Sequence, residues 1–202
     1  MTQQNICVDL WQNIMSFSKF SDQITVTKIN KDMHDSLKIH NMYDIDDKYR
    51  KKLTDDILRQ NIYSDVEELN LRSVAGVTDV NHLKNIRLLD ISATSPDKDS
   101  NQHTIGNEGI KHINPTILNV ECNINITNIG HMSKLKMLIA TSSRIKYDDI
   151  KDLENLKSVD ITDTYMVPED FENMDGVRII DNSAHESYDV DEYEGIDDFY
   201  GF

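Results

Sequence analysis

Between Ile150 and Thr164 the apolar residues fall at Ile150, Leu153, Leu156, Val159 and Ile161, in steps of three that end in a step of two. Steps of three suit a segment that packs one side inward. A step of two suits a strand whose alternate residues face a core. The pattern therefore predicts a short strand with Val159 and Ile161 inward and Asp160 and Thr162 on an open face. One such coil leaves its apolar stripe bare, so it requires neighbours stacked on it. The phrase recurs as Val80-Leu83-Ile86-Leu89-Ile91, as Ile129-Met132-Leu135-Leu138-Ala140 and as Phe171-Met174-Val177-Ile180-Asn182, with a partial start at Val66-Leu69-Leu71. Strand starts are predicted at Leu69, Leu89, Leu118, Leu138, Val159 and Ile180, at spacings of 20, 29, 20, 21 and 21 residues. An ordinary helix bundle would not keep breaking its period into this alternation, so a repeat solenoid is predicted. In the third coil a second alignment, Ile117-Val120-Cys122-Asn125, fits as well as the one on Leu118.

Residues 1–64 keep a different rhythm. The apolar residues are Val8, Leu10, Trp11, Ile14, Met15 and Phe17, then Ile24, Val26, Ile29, Met33 and Leu37, among which Ile14-Phe17 and Ile29-Met33-Leu37 hold three- and four-residue steps. Helices are expected at about 9–17, 21–28, 29–39 and 53–62, with Ser21-Asp22 and Thr54-Asp55 as N-caps. A solenoid exposes apolar core at its open end, so a helical lid is required on physical grounds alone. The chain thus divides into a helical head (1–64), repeats (65–184) and a C-terminal tail (185–202).

This pattern resembles the leucine-rich repeat family in its short form. The fold class implied is α/β: a leucine-rich repeat solenoid over residues 66–184, with short parallel β-strands on the concave face, behind an N-terminal helical cap. The family places Asn three residues after the second apolar strand residue, where its side chain satisfies the turn. Here that position holds Val74, Thr94, Asn123, Ser143, Thr164 and His185, and Thr and Ser make weaker versions of the same bond. The head carries a second resemblance. Residues 6–40, around VDLWQNIMSFSKFSDQITVTKINKDMHDSL, are similar to an F-box, although Val8-Asp9 stands where that family commonly opens with Leu-Pro. A helical head joined to such repeats is the arrangement of F-box/LRR substrate receptors, and the Ile/Asn/Asp/Lys-rich composition is similar to such proteins of giant amoebal viruses. The resemblance implies a non-catalytic receptor. Its head, through Leu10, Ile14, Ile24 and Ile29, would dock on the Skp-type adaptor of a cullin-RING ubiquitin ligase while the repeats hold a target protein. The competing reading of the head is a plain cap.

Composition adds limits. Among 202 residues, 36 are Asp or Glu against 21 Lys or Arg, a net charge of −15. The head carries nine of each sign, the repeats twelve basic against twenty acidic, and the tail none against seven. Such a surface repels phosphate backbones, so no nucleic-acid partner is expected. Mean hydropathy is −0.54 and no run reaches the length that spans a bilayer, so no membrane partner is expected either. Cys7 and Cys122 lie apart, and the start MTQQNICVDLW lacks a basic leader, which points to reduced thiols in a cytoplasmic setting, that of a host cell or its nucleus included.

On the predicted concave face, Leu88, Ile117, Met137 and Ile139 form an apolar strip beside Asp90, Asp160 and Asp181. That strip is a candidate protein-binding surface selecting a basic partner. The bland alternative is a face kept polar for solubility. If the head is only a cap, the protein is instead an LRR scaffold that binds a basic protein through this acidic face and tail, unconnected to ubiquitin. The insertion SPDKDSNQHTIGNEG after the second strand predicts a projecting loop. The tail, HESYDVDEYEGIDDFYGF, reads either as a C-terminal cap or as an acidic-aromatic recognition segment. The seven histidines form no metal-ligand spacing and no Ser lies in a nucleophile-elbow context, so no catalytic residue, metal or cofactor is expected, and the protein is expected to be a monomer apart from its partners.

Overall fold

A computed structural model describes residues 3–29, 31–96 and 104–183, the first five of these as backbone only. Seven strands lie side by side in chain order in one parallel sheet. They are β1 (Asn41–Met42), β2 (Glu68–Asn70), β3 (Leu88–Asp90), β4 (Ile117–Asn119), β5 (Met137–Ile139), β6 (Ser158–Asp160) and β7 (Arg178–Ile180). Strictly sequential parallel pairing means that each coil leaves the sheet, returns along the opposite side and adds one strand. This is a repeat solenoid. The predicted spine forms: Leu69, Leu89, Leu118, Leu138 and Val159 are opposite one another in adjacent strands and almost fully buried. The third coil takes the Leu118 register.

Steps of three become turns packed under the sheet. Val80, Leu83 and Ile86 are buried, as are Ile129, Met132 and Leu135, and Ile150, Leu153 and Leu156. Coils approach closely enough that Gly109 is required: a Cβ there would lie 2.1 Å from the Thr78 carbonyl oxygen, while the Gly109 carbonyl accepts from the Val80 N–H at 3.0 Å. The insertion after β3 re-enters the fold through a short helix over Asn107–Ile110; residues 97–103 lie outside the described part.

The last strand and the head depart from expectation. Val159 pairs with Ile179, not Ile180, so the last strand is shifted by one residue. Both residues are apolar, and at this end of the sheet both are only half-buried, so alternation alone does not choose between them. The sheet also begins inside the segment expected to be helical, because Asn41–Met42 pairs in parallel with Glu68–Leu69. Ile39, Met42, Ile45, Leu53 and Leu58 join the same core as the repeats. The chain ahead of β1 forms three helices, α1 (Gln3–Ser16), α2 (Phe20–Thr27) and α3 (Lys31–Ser36), and the chain after it two single turns, α4 (Asp47–Arg50) and α5 (Asp55–Leu58). Thr54 caps α5 as predicted, its hydroxyl accepting from the Ile57 N–H at 3.3 Å. Ser21-Asp22 does not start α2; the helix opens one residue earlier, and the Asp44 carboxylate accepts from the Phe20 N–H at 3.0 Å.

The lid closes the sheet edge with two glutamines. A backbone edge buried without partners is costly, because each amide and carbonyl loses water. Gln23 of α2 is fully buried; its amide donates to the carbonyls of Ser18 (2.8 Å) and Asn41 (3.1 Å), and its oxygen accepts from the N–H groups of His40 (3.0 Å) and Asn41 (3.4 Å). Gln12 of α1 does the same one step earlier, donating to the Lys38 carbonyl (3.0 Å) and accepting from the Lys38 N–H (2.8 Å). Each side-chain amide thus stands in for a peptide group of the strand that is missing beyond β1.

Candidate interaction surfaces

The head leaves apolar side chains in water. Leu10 is 60% exposed, Ile14 43%, Phe17 93% and Ile29 55%. Leu10 and Ile14 lie on α1, Phe17 just past its end and Ile29 just past the end of α2; buried Met15, Gln23, Thr27 and Met33 hold these helices from behind, so the four exposed side chains are surplus to the head's own packing. Of the four residues expected to dock, Leu10, Ile14 and Ile29 are exposed, whereas Ile24 is half-buried and packs on the core. Phe17 is not in that set; it lies one residue past the end of α1, three residues on from Ile14.

On the concave face Met137 is 42% exposed, and Leu88, Ile117 and Ile139 are half-exposed beside it along adjacent strands. The acidic column behaves differently from a row of free charges. Asp90 is only 5% exposed, and its Oδ1 accepts from the Ser92 N–H at 2.9 Å and the Ser92 hydroxyl at 2.6 Å. Asp160 Oδ1 accepts from the Thr162 N–H at 3.0 Å and Asp181 Oδ1 from the Ser183 N–H at 2.9 Å. Asn70 and Asn119 make the same bond to the N–H groups of Arg72 and Glu121. Apart from Ile139 in β5, this column is therefore a ladder of side-chain turns at the strand ends. Three residues after the ladder position the chain turns through left-handed backbone at Ser73, Cys122, Ser142 and Asp163, with φ of 54°, 57°, 52° and 53°. Hydrogen bonds between coils hold this conformation: Ser73 N–H donates to Ser92, Cys122 N–H to Thr141 and Ser142 N–H to Thr162, each at 2.9 Å.

The Asn position of the turn also carries its load. Asn123 is fully buried and donates to the carbonyls of Ile91 (2.9 Å) and Ile105 (3.1 Å) while accepting from the Asn125 N–H (3.0 Å). Thr164 makes a smaller version, donating to the Ile161 carbonyl at 2.6 Å and accepting from the Met166 N–H at 3.2 Å. Val74 has no such capacity and packs in the core instead. His185 lies outside the described residues, as does the whole tail.

Two hollows flank the head. One, of about 690 Å³, lies between α2 and residues 44–63, with Phe20, Ile24, Leu53 and Ile57 on its walls and Lys19, Lys28 and Lys52 around it. The other, of about 770 Å³, lies against α4 and the ends of β2 and β3. Among the described residues no group of His, Cys, Asp and Glu is placed to hold a metal, and no helix is long and apolar enough to cross a membrane. Burial and the charge of Glu121 push the Cys122 thiol up, so it stays protonated and poorly nucleophilic.

Compared with protein-family models, curated proteins and solved structures, the chain matches none.

Proposed function

We propose that this protein is a non-catalytic interaction module of F-box/leucine-rich-repeat type, whose head docks on a Skp-type adaptor of a cullin-RING ubiquitin ligase while the coils hold a target protein. The observation that carries this reading is the exposed set Leu10, Ile14, Phe17 and Ile29 on a head whose core is already closed without it. A lid needs one apolar face, toward the solenoid; a second is a cost in water unless something covers it. Covering each such side chain is worth about 1.5–3 kcal/mol before ordering costs, enough for four of them to anchor a partner helix. The Asn123 turn and the sequential parallel strands support the leucine-rich form of the repeat. The apolar strip Leu88, Ile117, Met137 and Ile139 is the proposed target contact. The acidic residues of that face are engaged in turns, which weakens the rival scaffold reading of a basic partner held by Asp90, Asp160 and Asp181.

The test is co-purification of the intact chain with a Skp-type adaptor, beside a Leu10→Asp/Ile14→Asp variant. Both positions are exposed, so the variant should melt with the parent. Retention by the parent and loss by the variant is expected. No retention by a folded parent removes the ubiquitin reading.

A further inference from the structure

The second hollow contrasts in charge with the chain around it. In a protein of net charge −15, it gathers Arg50, Lys51 and Arg72, together with the hydroxyl-bearing side chains of Tyr43, Ser73 and Thr94. Its two acids are already engaged: Asp47 pairs with an Arg50 nitrogen at 2.7 Å, and buried Asp90 caps its own turn. Arg50 is anchored on its other side, donating to Asn70 Oδ1 at 3.0 Å. The Arg72 guanidinium, by contrast, makes no hydrogen bond or ion pair with any described residue and sits exposed at the rim. Buried polar atoms without partners are few in folded proteins and call for an explanation. Here four such side-chain atoms occur among the described residues, and two of them, Arg50 Nε and Ser73 Oγ, belong to residues of this one hollow.

The architecture explains why a site should lie there. The hollow is at the carboxyl ends of β2 and β3, where backbone turns away and leaves side chains convergent, and α4 rises beside them as a wall. Ser73 is held at its left-handed φ of 54° by the bond from its N–H to the Ser92 carbonyl, so the placement of its Cβ is set by the fold. The long insertion leaves the repeat beside Thr94, at the edge of the same hollow. The volume exceeds that of a bare ion and falls in the range of small-molecule sites.

We propose that this hollow binds a phosphate monoester, with Arg72 and Lys51 as charge partners and Ser73 as a hydrogen-bond donor. A planar guanidinium and a hydroxyl donor match the geometry of phosphoryl oxygens. The inference does not depend on the adaptor-docking reading, because the head patch of Leu10, Ile14, Phe17 and Ile29 contributes nothing to this hollow.

The test is a calorimetric titration of the full chain with inorganic phosphate and, separately, with a phosphoserine peptide and its unphosphorylated form, against sodium chloride at matched ionic strength. Saturable binding of a phosphorylated probe is expected, weakened about tenfold or more by Arg72→Gln. Ser73→Gly, which suits the left-handed backbone and keeps the fold, should weaken it in the same direction. Inorganic phosphate binding as well as the peptide identifies a free ligand, and a marked preference for the peptide identifies a phosphorylated side chain; either supports the site. A response equal to that of chloride, or binding unchanged in both folded variants, overturns it.

Discussion

Replacing Gln23 by Met tests how the lid holds the solenoid's open edge. The substitution keeps the length of the side chain but removes two donors and one acceptor from a fully buried position. Four backbone groups lose their partner: the carbonyls of Ser18 and Asn41 and the N–H groups of His40 and Asn41. Ser18 is half-exposed and can recover water, and the 3.4 Å bond from Asn41 N–H is the weakest, so the His40 N–H and the Asn41 carbonyl carry most of the loss. An orphaned buried group costs about 1–3 kcal/mol, which places the total near 2–5 kcal/mol. That is a large part of the 5–15 kcal/mol typical of a folded domain. Gln23→Glu should be worse at neutral pH, since a carboxylate oxygen would then face the carbonyls of Ser18 and Asn41. The assay is urea unfolding, read as a change in midpoint at constant slope. A loss below about 1 kcal/mol for Gln23→Met would refute the idea that this amide replaces a missing strand.

Other substitutions probe the coils themselves. Gly109→Ala should destabilise by at least about 1–3 kcal/mol in thermal melts, because its Cβ meets the Thr78 carbonyl at 2.1 Å, whereas Gly130→Ala, with its nearest neighbour at 3.5 Å, should stay close to neutral. Asn123→Ala should cost about 2–4 kcal/mol in urea unfolding, as the carbonyls of Ile91 and Ile105 lose the donor that Asn123 supplies, whereas Ser143→Ala, which removes one 3.4 Å bond, should cost much less. Stability should also fall in acid. Partial burial raises Asp55 and Asp79, but bonds from Thr78 and Asp79 to the first, from Asn81 and Arg59 to the second, and the Arg59 charge outweigh it, leaving both carboxyls below their ordinary value. Their folded pKa values being depressed, the stabilisation is complete above about pH 4 and is lost as pH falls through the folded values. Asp55→Asn should flatten that part of the pH profile of unfolding.

Much of the solenoid was legible because each coil repeats one local statement: apolar steps of three, then an alternation. Leu89, Leu118, Leu138 and Val159 needed no long-range information to be placed in register. The misplacement of β7 has a local cause, since Ile179 and Ile180 are both apolar and the Asp181 turn bond persists after the shift. Strand β1 escaped because Met42 is flanked by Asn41 and Tyr43 and has no second apolar partner two residues on. The glutamines escaped for a different reason: an amide that imitates a neighbouring strand looks, in sequence, like any polar surface residue. The concave acids carried a usable signal that charge counting concealed. Positions 70, 90, 119, 160 and 181 read Asn, Asp, Asn, Asp, Asp, with Ile139 the one exception in the column, and exchange between a neutral and a charged residue marks a need for a carbonyl-type oxygen, not for a negative charge. In the head, periodicity placed Leu10, Ile14 and Ile29 on helices but could not separate the face that packs from the face that does not, so Ile24 was grouped with them.

Hydrogen exchange of the full chain, with and without a saturating Skp-type adaptor, reads out where the adaptor docks. Added protection is expected only in the head around residues 8–29, with the amides of β3 to β6 unchanged. Protection centred on those strands, or none anywhere while the adaptor is present at saturating concentration, would contradict docking through the head.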